Sequence, residues 1–281
     1  MAEKLGDVEA RIGTVHQLES VVGAMRALAA ARAREARARL AGIQAYAGTV
    51  GEAIGVALSL LPEDGHPSIG GEAPGGLLIA FCAEQGFVGG FNERLLDAVG
   101  EARAGRELLL IGDRGVMVAE ERGWPVAWSM PAPAHADEVA GLADRLADRI
   151  YERIAAGAGA TALLLHARPA TGATTEIVRR PLIPLDFGRF PVARRAPPLV
   201  TLPPGRLLEG LAAEYLFAEL CEAAMLSLAA ENEARMTAMI NARTNVAKTL
   251  EELHRTAAHL RQDAITAEVI ELAAGSAARR G

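Results

Sequence analysis

Residues 211–274 read LAAEYLFAELCEAAMLSLAAENEARMTAMINARTNVAKTLEELHRTAAHLRQDAITAEVIELAA, 64 residues without a glycine or a proline. Ala, Leu, Glu, Met and Arg, the strongest helix formers, dominate the stretch. The breaker run Pro203-Pro204-Gly205 precedes it, and Gly275 follows where a helix C′ residue belongs. The stretch therefore predicts one continuous helix. Met239, Val246, Leu253, Leu260 and Ala267 recur every seven residues, and Leu250, Ala257 and Ala264 form a second row between them. Two such rows make the narrow seam of a coiled coil, not the broad apolar face of a globular helix. At 1.5 Å per residue this helix would span ~96 Å. A compact chain of 281 residues has a radius of gyration of only ~19 Å. The helix is thus expected to project from its domain and to need a partner helix.

Residues 1–61, which contain no proline, supply the natural partner. Val8, Ile12, Val15, Val22, Met25 and Ala29 fall three, four or seven apart and mark one helical face. Gly13 and Gly23 weaken that helix by ~1 kcal/mol each relative to alanine, yet in an alanine-rich pair they also permit close crossing. Arg26, Arg32, Arg34, Arg37 and Arg39 face a single acid, Glu35, giving either a solvated basic face or a surface for acidic partner loops.

Between these helices lie short apolar runs separated by breakers. GGLLIAFC (75–82), ELLLIG (107–112), PVAWSM (125–130) and TALLLHA (161–167) suit strands covered on both faces. Residues 92–104, 114–122 and 137–156 alternate with them as helices, the last with a stripe of Leu142, Leu146, Ile150 and Ile154. The alternation predicts a largely parallel sheet. TTEIVRRPLIPL (174–185) is expected to add an edge strand ended by Pro181 and Pro184. The fold class is thus α/β: a Rossmann-like central domain with long N- and C-terminal helices forming an antiparallel coiled coil. The expected divisions are 1–61, 74–200 and 206–276.

Composition narrows the function. A net charge of −6 argues against general nucleic-acid binding, which needs a cationic surface. No stretch approaches the ~20 apolar residues of a membrane span, and MAEKLGDVEARI lacks the apolar core of a signal peptide. Cys82 and Cys221 lie far apart without a metal-type spacing and are expected to be small buried hydrophobes. His16, His66, His135, His166, His254 and His259 form no HxH or HExxH pattern, and no GxSxG is present. Gly86-Phe-Val-Gly-Gly-Phe-Asn92 could cradle a phosphate at a helix N-terminus, but it matches neither GxGxxG nor GxxxxGK[ST]. Asn92 is expected to cap the helix that follows. Ile111-Gly-Asp-Arg-Gly115 is expected to be a structural strand-to-helix turn. These features predict no catalytic residue, cofactor or metal site.

The C-terminal residues are more specific. AENEARMTAM (230–239) followed by Asn245, and RQDAITAE (261–268) followed by Glu271 and Gly275-Ser-Ala-Ala278, resemble signatures of the gamma subunit family of F-type ATP synthases. AEQGFVGGFN (83–92) and AMRALAAA (24–31) are similar to that family's glycine turn and N-terminal stretch, in the same order. HQLESVVG (16–23), Ala83-Glu84 and Ala258 depart from its pattern, marking a divergent member. The resemblance implies a rotor shaft inside a ring of alpha and beta subunits, with the α/β domain joining the epsilon subunit and the membrane c-ring. It implies a peripheral place on the cytoplasmic side of the bacterial inner membrane, with no insertion and no nucleic acid. It assigns Arg261, Gln262 and Thr266 to a catch on a beta-subunit loop, and Met25 and Arg235 to contacts near the shaft and ring. The alternatives are the gamma subunit of a sodium-linked F-type ATPase, and a coiled-coil adaptor with an α/β head. An enzyme with a dinucleotide domain stands last, for want of a fingerprint.

Overall fold

The computed structural model describes residues 4–62, 75–170, 175–192 and 199–278, the last eight by their backbone alone. Thr174 and His66 lie outside these residues. Helix α1 covers Leu5–Leu58 and α5 covers Pro204–Ala278. The latter outruns its predicted ends. Pro204 opens it, where the missing amide of a first-turn proline costs nothing, and Gly275 does not stop it. Between them come β1 (Leu77–Phe81), α2 (Phe91–Ala102), β2 (Glu107–Ile111), α3 (Asp113–Glu121), β3 (Trp128–Met130), α4 (Val139–Ala155), β4 (Ala162–Pro169) and β5 (Thr175–Ile183). The chain divides into two compact units, Met1–Leu28 with Met236–Gly281, and Ala29–Arg235.

The larger unit is built on a sheet of order β3-β2-β1-β4-β5. β1 pairs in parallel with β2 and β4, and β2 with β3, whereas β5 runs antiparallel along the β4 edge. Strand periodicity sorts the side chains between two layers. Leu77, Ile79 and Phe81 meet Leu142, Leu146 and Ile150 of α4, and Leu220, Ala224 and Leu228 of α5. Leu78 and Ala80 face Leu95, Leu96 and Val99 of α2 and Ala119 of α3. Covered on both faces, the strands need the unbroken apolar runs seen in LLIAF and ELLLI. Leu40 and Ile43 of α1 complete the first layer.

Two expectations about the strands need correction. Pro181 does not end β5; it sits in the ladder opposite Leu163, beside a register shift. An edge strand tolerates the missing amide because one side of it pairs with nothing. The strand stops at Ile183, before Pro184. β3 is also shorter than 125–130, covering only Trp128–Met130.

The turn at Ile111–Gly115 is structural for a steric reason. Gly112 has φ +105°, and a Cβ there would lie 2.5 Å from the Cys82 carbonyl oxygen. Gly112→Ala is therefore expected to cost about 2 kcal/mol through strain and overpacking, read as a lower denaturant midpoint at unchanged slope. Cys82 and Cys221 are both buried free thiols, each pushed up to about 12 by burial. As thiols they are inert packing groups.

His166 on β4 is 1 % exposed; its Nδ1 lies 3.2 Å from the Ala167 carbonyl, and Nε2 has no partner among the described residues. Burial lowers its pKa; the Ala167 carbonyl opposes this, while Arg180 lowers it further against Glu222 and Glu219. With the folded pKa below the unfolded one, the unfolded chain takes up protons first as pH falls. The neutral ring's contribution is thus intact above the ordinary imidazole pKa and is lost progressively below it. Chemical melts from pH 7.5 to 5 are expected to show this decline, and His166→Phe to flatten it.

In the smaller unit, Val8, Leu253 and Ala257 form a buried seam, flanked by Leu5, Ile12, Val15 and Leu260. From the Glu9–Arg261 ion pair to the His16–His254 ring contact, α1 advances seven residues while α5 retreats seven. The pairing is antiparallel and keeps a heptad register. Met239, Val246, Leu250, Leu253 and Ala257 are buried as expected, but Ala264 and Ala267 are exposed. The described part of α1 begins at Lys4 and Leu5, so its register runs out near residue 265 of α5.

Candidate partner-contact sites

All residues from Arg261 to Ile270 are exposed, and three of them are large and apolar: Ile265, Val269 and Ile270. An uncovered helix end of good helix formers with an apolar face is a ready contact surface. Helix geometry sorts the three catch residues. Gln262 and Thr266 lie one turn apart on one face, and the Thr266 hydroxyl donates to the Gln262 carbonyl at 2.9 Å. Arg261 sits about 100° around the helix and pairs with Glu9 at 2.9 Å, both side chains more than half exposed. Such an exposed pair holds its arginine weakly, at about 0–1 kcal/mol.

Met25 is half-buried on α1 in this same unit. Arg235 belongs to the larger unit and is only 6 % exposed. Its guanidinium forms an ion pair with Glu231, donates to Asn232 Oδ1 at 3.1 Å, and reaches the backbone carbonyls of Gln85 and Gly86 at 3.3 and 3.4 Å. Asn232 is fixed in turn by donating to the Leu228 carbonyl at 2.8 Å. Burial raises the Glu231 pKa, and Arg235 pulls it back. Arg235 thus spends its donors on the glycine turn after β1.

That turn is held from both ends. Asn92 does not cap α2, whose N-cap is Gly90; its buried Oδ1 instead accepts the Ala83 amide at 2.9 Å. The reason is the helix start at Phe91, one residue early, which places Asn92 inside the first turn and aims it at the strand end. Glu84 accepts amides from Asp113 and Ala132 at 3.1 and 2.8 Å, joining three loops at one end of the sheet. Between these anchors Phe87 stands 69 % exposed with φ +62°, a left-handed conformation costly for an aromatic residue. The turn offers the carbonyls of Gln85 and Gly86 to the arginine.

Sequence reading missed Glu231 and Glu84. The Glu231–Arg235 spacing of four on a helix was the available signal for the first. Nothing local marked Glu84, since its partners lie 29 and 48 residues away. Among the basic residues of α1, Arg37 pairs with Glu233 and Arg39 with Glu35, so part of that face is used within the chain.

The family model described as ATP synthase matches residues 4–278. The ATP synthase gamma chain of Salinibacter ruber is 28% identical over 306 residues, covering 98% of this chain and 97% of that protein. That of Frankia casuarinae is 27% identical over 294 residues, covering 98% of each. A chain from the Euglena gracilis mitochondrial ATP synthase (OSCP/F1/c-ring, rotational state 3) superposes with a TM-score of 0.66 at 12% identity, covering 98% of this chain and 94% of that one. A chain from the Tetrahymena thermophila mitochondrial ATP synthase central stalk and c-ring gives 0.60 at 18% identity, covering 79% and 99%.

Proposed function

The chain belongs to the ATP synthase family as a gamma chain, and from that premise we propose that it couples rotation of a membrane c-ring to conformational change at catalytic beta subunits. The observation that supports this best is the bare end of α5, where Arg261, Gln262 and Thr266 stand beside an uncovered apolar face. The chain makes and breaks no bonds in this reading. A ligand-linked equilibrium shifts only when a partner contacts its states differently. A shaft whose sides differ would therefore bias each catalytic site in turn as it rotates. An Ala-rich helix pair suits a bearing, because small side chains interlock little with the wall they turn against.

The alpha and beta subunits would surround the helix pair, with the epsilon subunit and c-ring on the sheet domain. None of the described helices is long and apolar enough to cross a membrane. As a gamma chain it would sit peripherally, on the cytoplasmic face of a bacterial inner membrane. Arg235, buried as it is, would act at the ring through the glycine turn it holds; Met25 would act directly.

Co-expression with the alpha- and beta-type subunits tests the reading. A tag on the beta subunit should recover this chain in a stable complex with ATPase activity. Recovery of this chain alone, free of both subunits, would leave the coiled-coil adaptor as the better account.

A further inference from the structure

The edge strand β5 carries a second charged network, distinct from the Arg235 cluster. Arg180 on β5 pairs with Glu219 and, at 3.2 Å, with Glu222, both on α5. Arg189, in the short 3-10 turn after β5, reaches the second Glu219 oxygen at 3.3 Å and the Tyr215 hydroxyl at 3.2 Å. Gln44 of α1 closes the network by donating to Glu222 at 2.9 Å. Glu219 is 5 % exposed, so both its oxygens are spent on arginines inside the fold.

The chain beyond the turn is seated on α1. Phe190 packs edge-on against Tyr215 at 4.9 Å, and a Cβ at Gly51 would approach its ring to 3.2 Å. A Cβ at Gly55 would lie 2.3 Å from the Pro191 carbonyl oxygen. These two glycines clear a track on α1 for the strap that leaves the sheet. β5, the strap, α1 and α5 thus meet at one joint.

Stability does not explain the charges. An apolar cluster of the same volume is often as stable as a buried ion network, whose partners lose their hydration. What differs is direction. The interface between sheet and helices is apolar and rich in small residues, among them Ala36, Ala223 and Ala224. Hydrophobic contact resists separation but is non-directional, so it opposes sliding weakly. Charge-assisted hydrogen bonds from two arginines to one fixed carboxylate oppose sliding along and around the helix.

We propose that this network is the joint through which torque passes between the sheet and the helices of the Ala29–Arg235 unit, with Glu219 as its positioning residue. The proposal rests on the rotor reading, in which the sheet domain meets the c-ring while the helices meet the catalytic ring. A slack joint lets ATP hydrolysis proceed while less rotation reaches the membrane ring.

The test uses the whole ATP synthase in inverted membrane vesicles, comparing ions pumped per ATP hydrolysed. Glu219→Gln keeps the shape and removes the charge; assembled complexes should hydrolyse ATP near the wild-type rate while pumping per ATP falls about fivefold. Gln44→Leu removes only the exposed tie to Glu222 and should lower the ratio about twofold. A wild-type ratio in assembled Glu219→Gln complexes overturns the joint. If that variant does not assemble, an unchanged ratio in Gln44→Leu overturns it instead. A wild-type chain that neither assembles nor pumps overturns the rotor reading and the joint with it.

Discussion

Gln262→Ala combined with Thr266→Ala is expected to lower ATP-driven ion pumping by the assembled complex about tenfold, with the sheet domain fully folded. Both side chains are exposed on one face of α5, where the Thr266 hydroxyl donates to the Gln262 carbonyl of its own helix. Removing that bond costs the free chain little, and alanine is the better helix former at both positions. The loss would therefore fall on partner contacts. Two hydrogen bonds of ~1 kcal/mol each, left unmade on a catalytic subunit, suffice for a tenfold effect. The control is an unchanged unfolding midpoint for the isolated chain. Pumping at the wild-type rate would remove both residues from the catch.

Arg235→Met is expected to destabilise the chain by about 3–5 kcal/mol, because it leaves a buried carboxylate without its counter-charge. Methionine retains much of the stem volume, so the loss is electrostatic rather than a cavity. Glu231 and the carbonyls of Gln85 and Gly86 lose their donor together. Burial already raises the Glu231 pKa against the pull of Arg235, and losing the arginine raises it further. A raised folded pKa means the penalty exists where the unfolded carboxyl is ionised, and vanishes as pH falls below the ordinary glutamate range. Urea melts should therefore show a large deficit at neutral pH that narrows on acidification. Arg235→Met with Glu231→Gln should recover most of it. A single variant as stable as wild type at pH 7 would show that Arg235 is free to serve a partner directly.

These variants separate two kinds of residue that the family resemblance marks alike as partner contacts. Gln262 and Thr266 present themselves outward. Arg235 is consumed within the fold, where it holds the turn that carries Phe87.

The large features of this fold were legible because they are periodic. The strands ELLLI and LLIAF announced a doubly covered sheet, and the seven-residue rhythm from Met239 to Leu260 announced the antiparallel seam. What escaped was set by position in three dimensions. Pro181 reads as a strand terminator, yet an edge strand absorbs it. Asn92 reads as a cap, yet a helix start one residue earlier turns it toward Ala83. Ala264 and Ala267 continue the heptad in sequence, yet both are exposed, close to the level at which the described part of α1 begins. The charged sites were harder still. Arg180 meets Glu219 across 39 residues and Gln44 meets Glu222 across 178, separations that no local pattern encodes. The compact units also cut through both long helices, since each helix packs on a sheet over part of its length and on another helix over the rest.

The central claim is that this chain turns inside a catalytic ring. Its most direct test is single-molecule observation of the complex of this chain with its alpha and beta subunits, the ring fixed to a surface and a bead attached to the sheet domain. The account predicts unidirectional rotation that requires ATP and slows when ATP is limiting. A complex that hydrolyses ATP while the bead remains stationary, or moves only by diffusion, would contradict it.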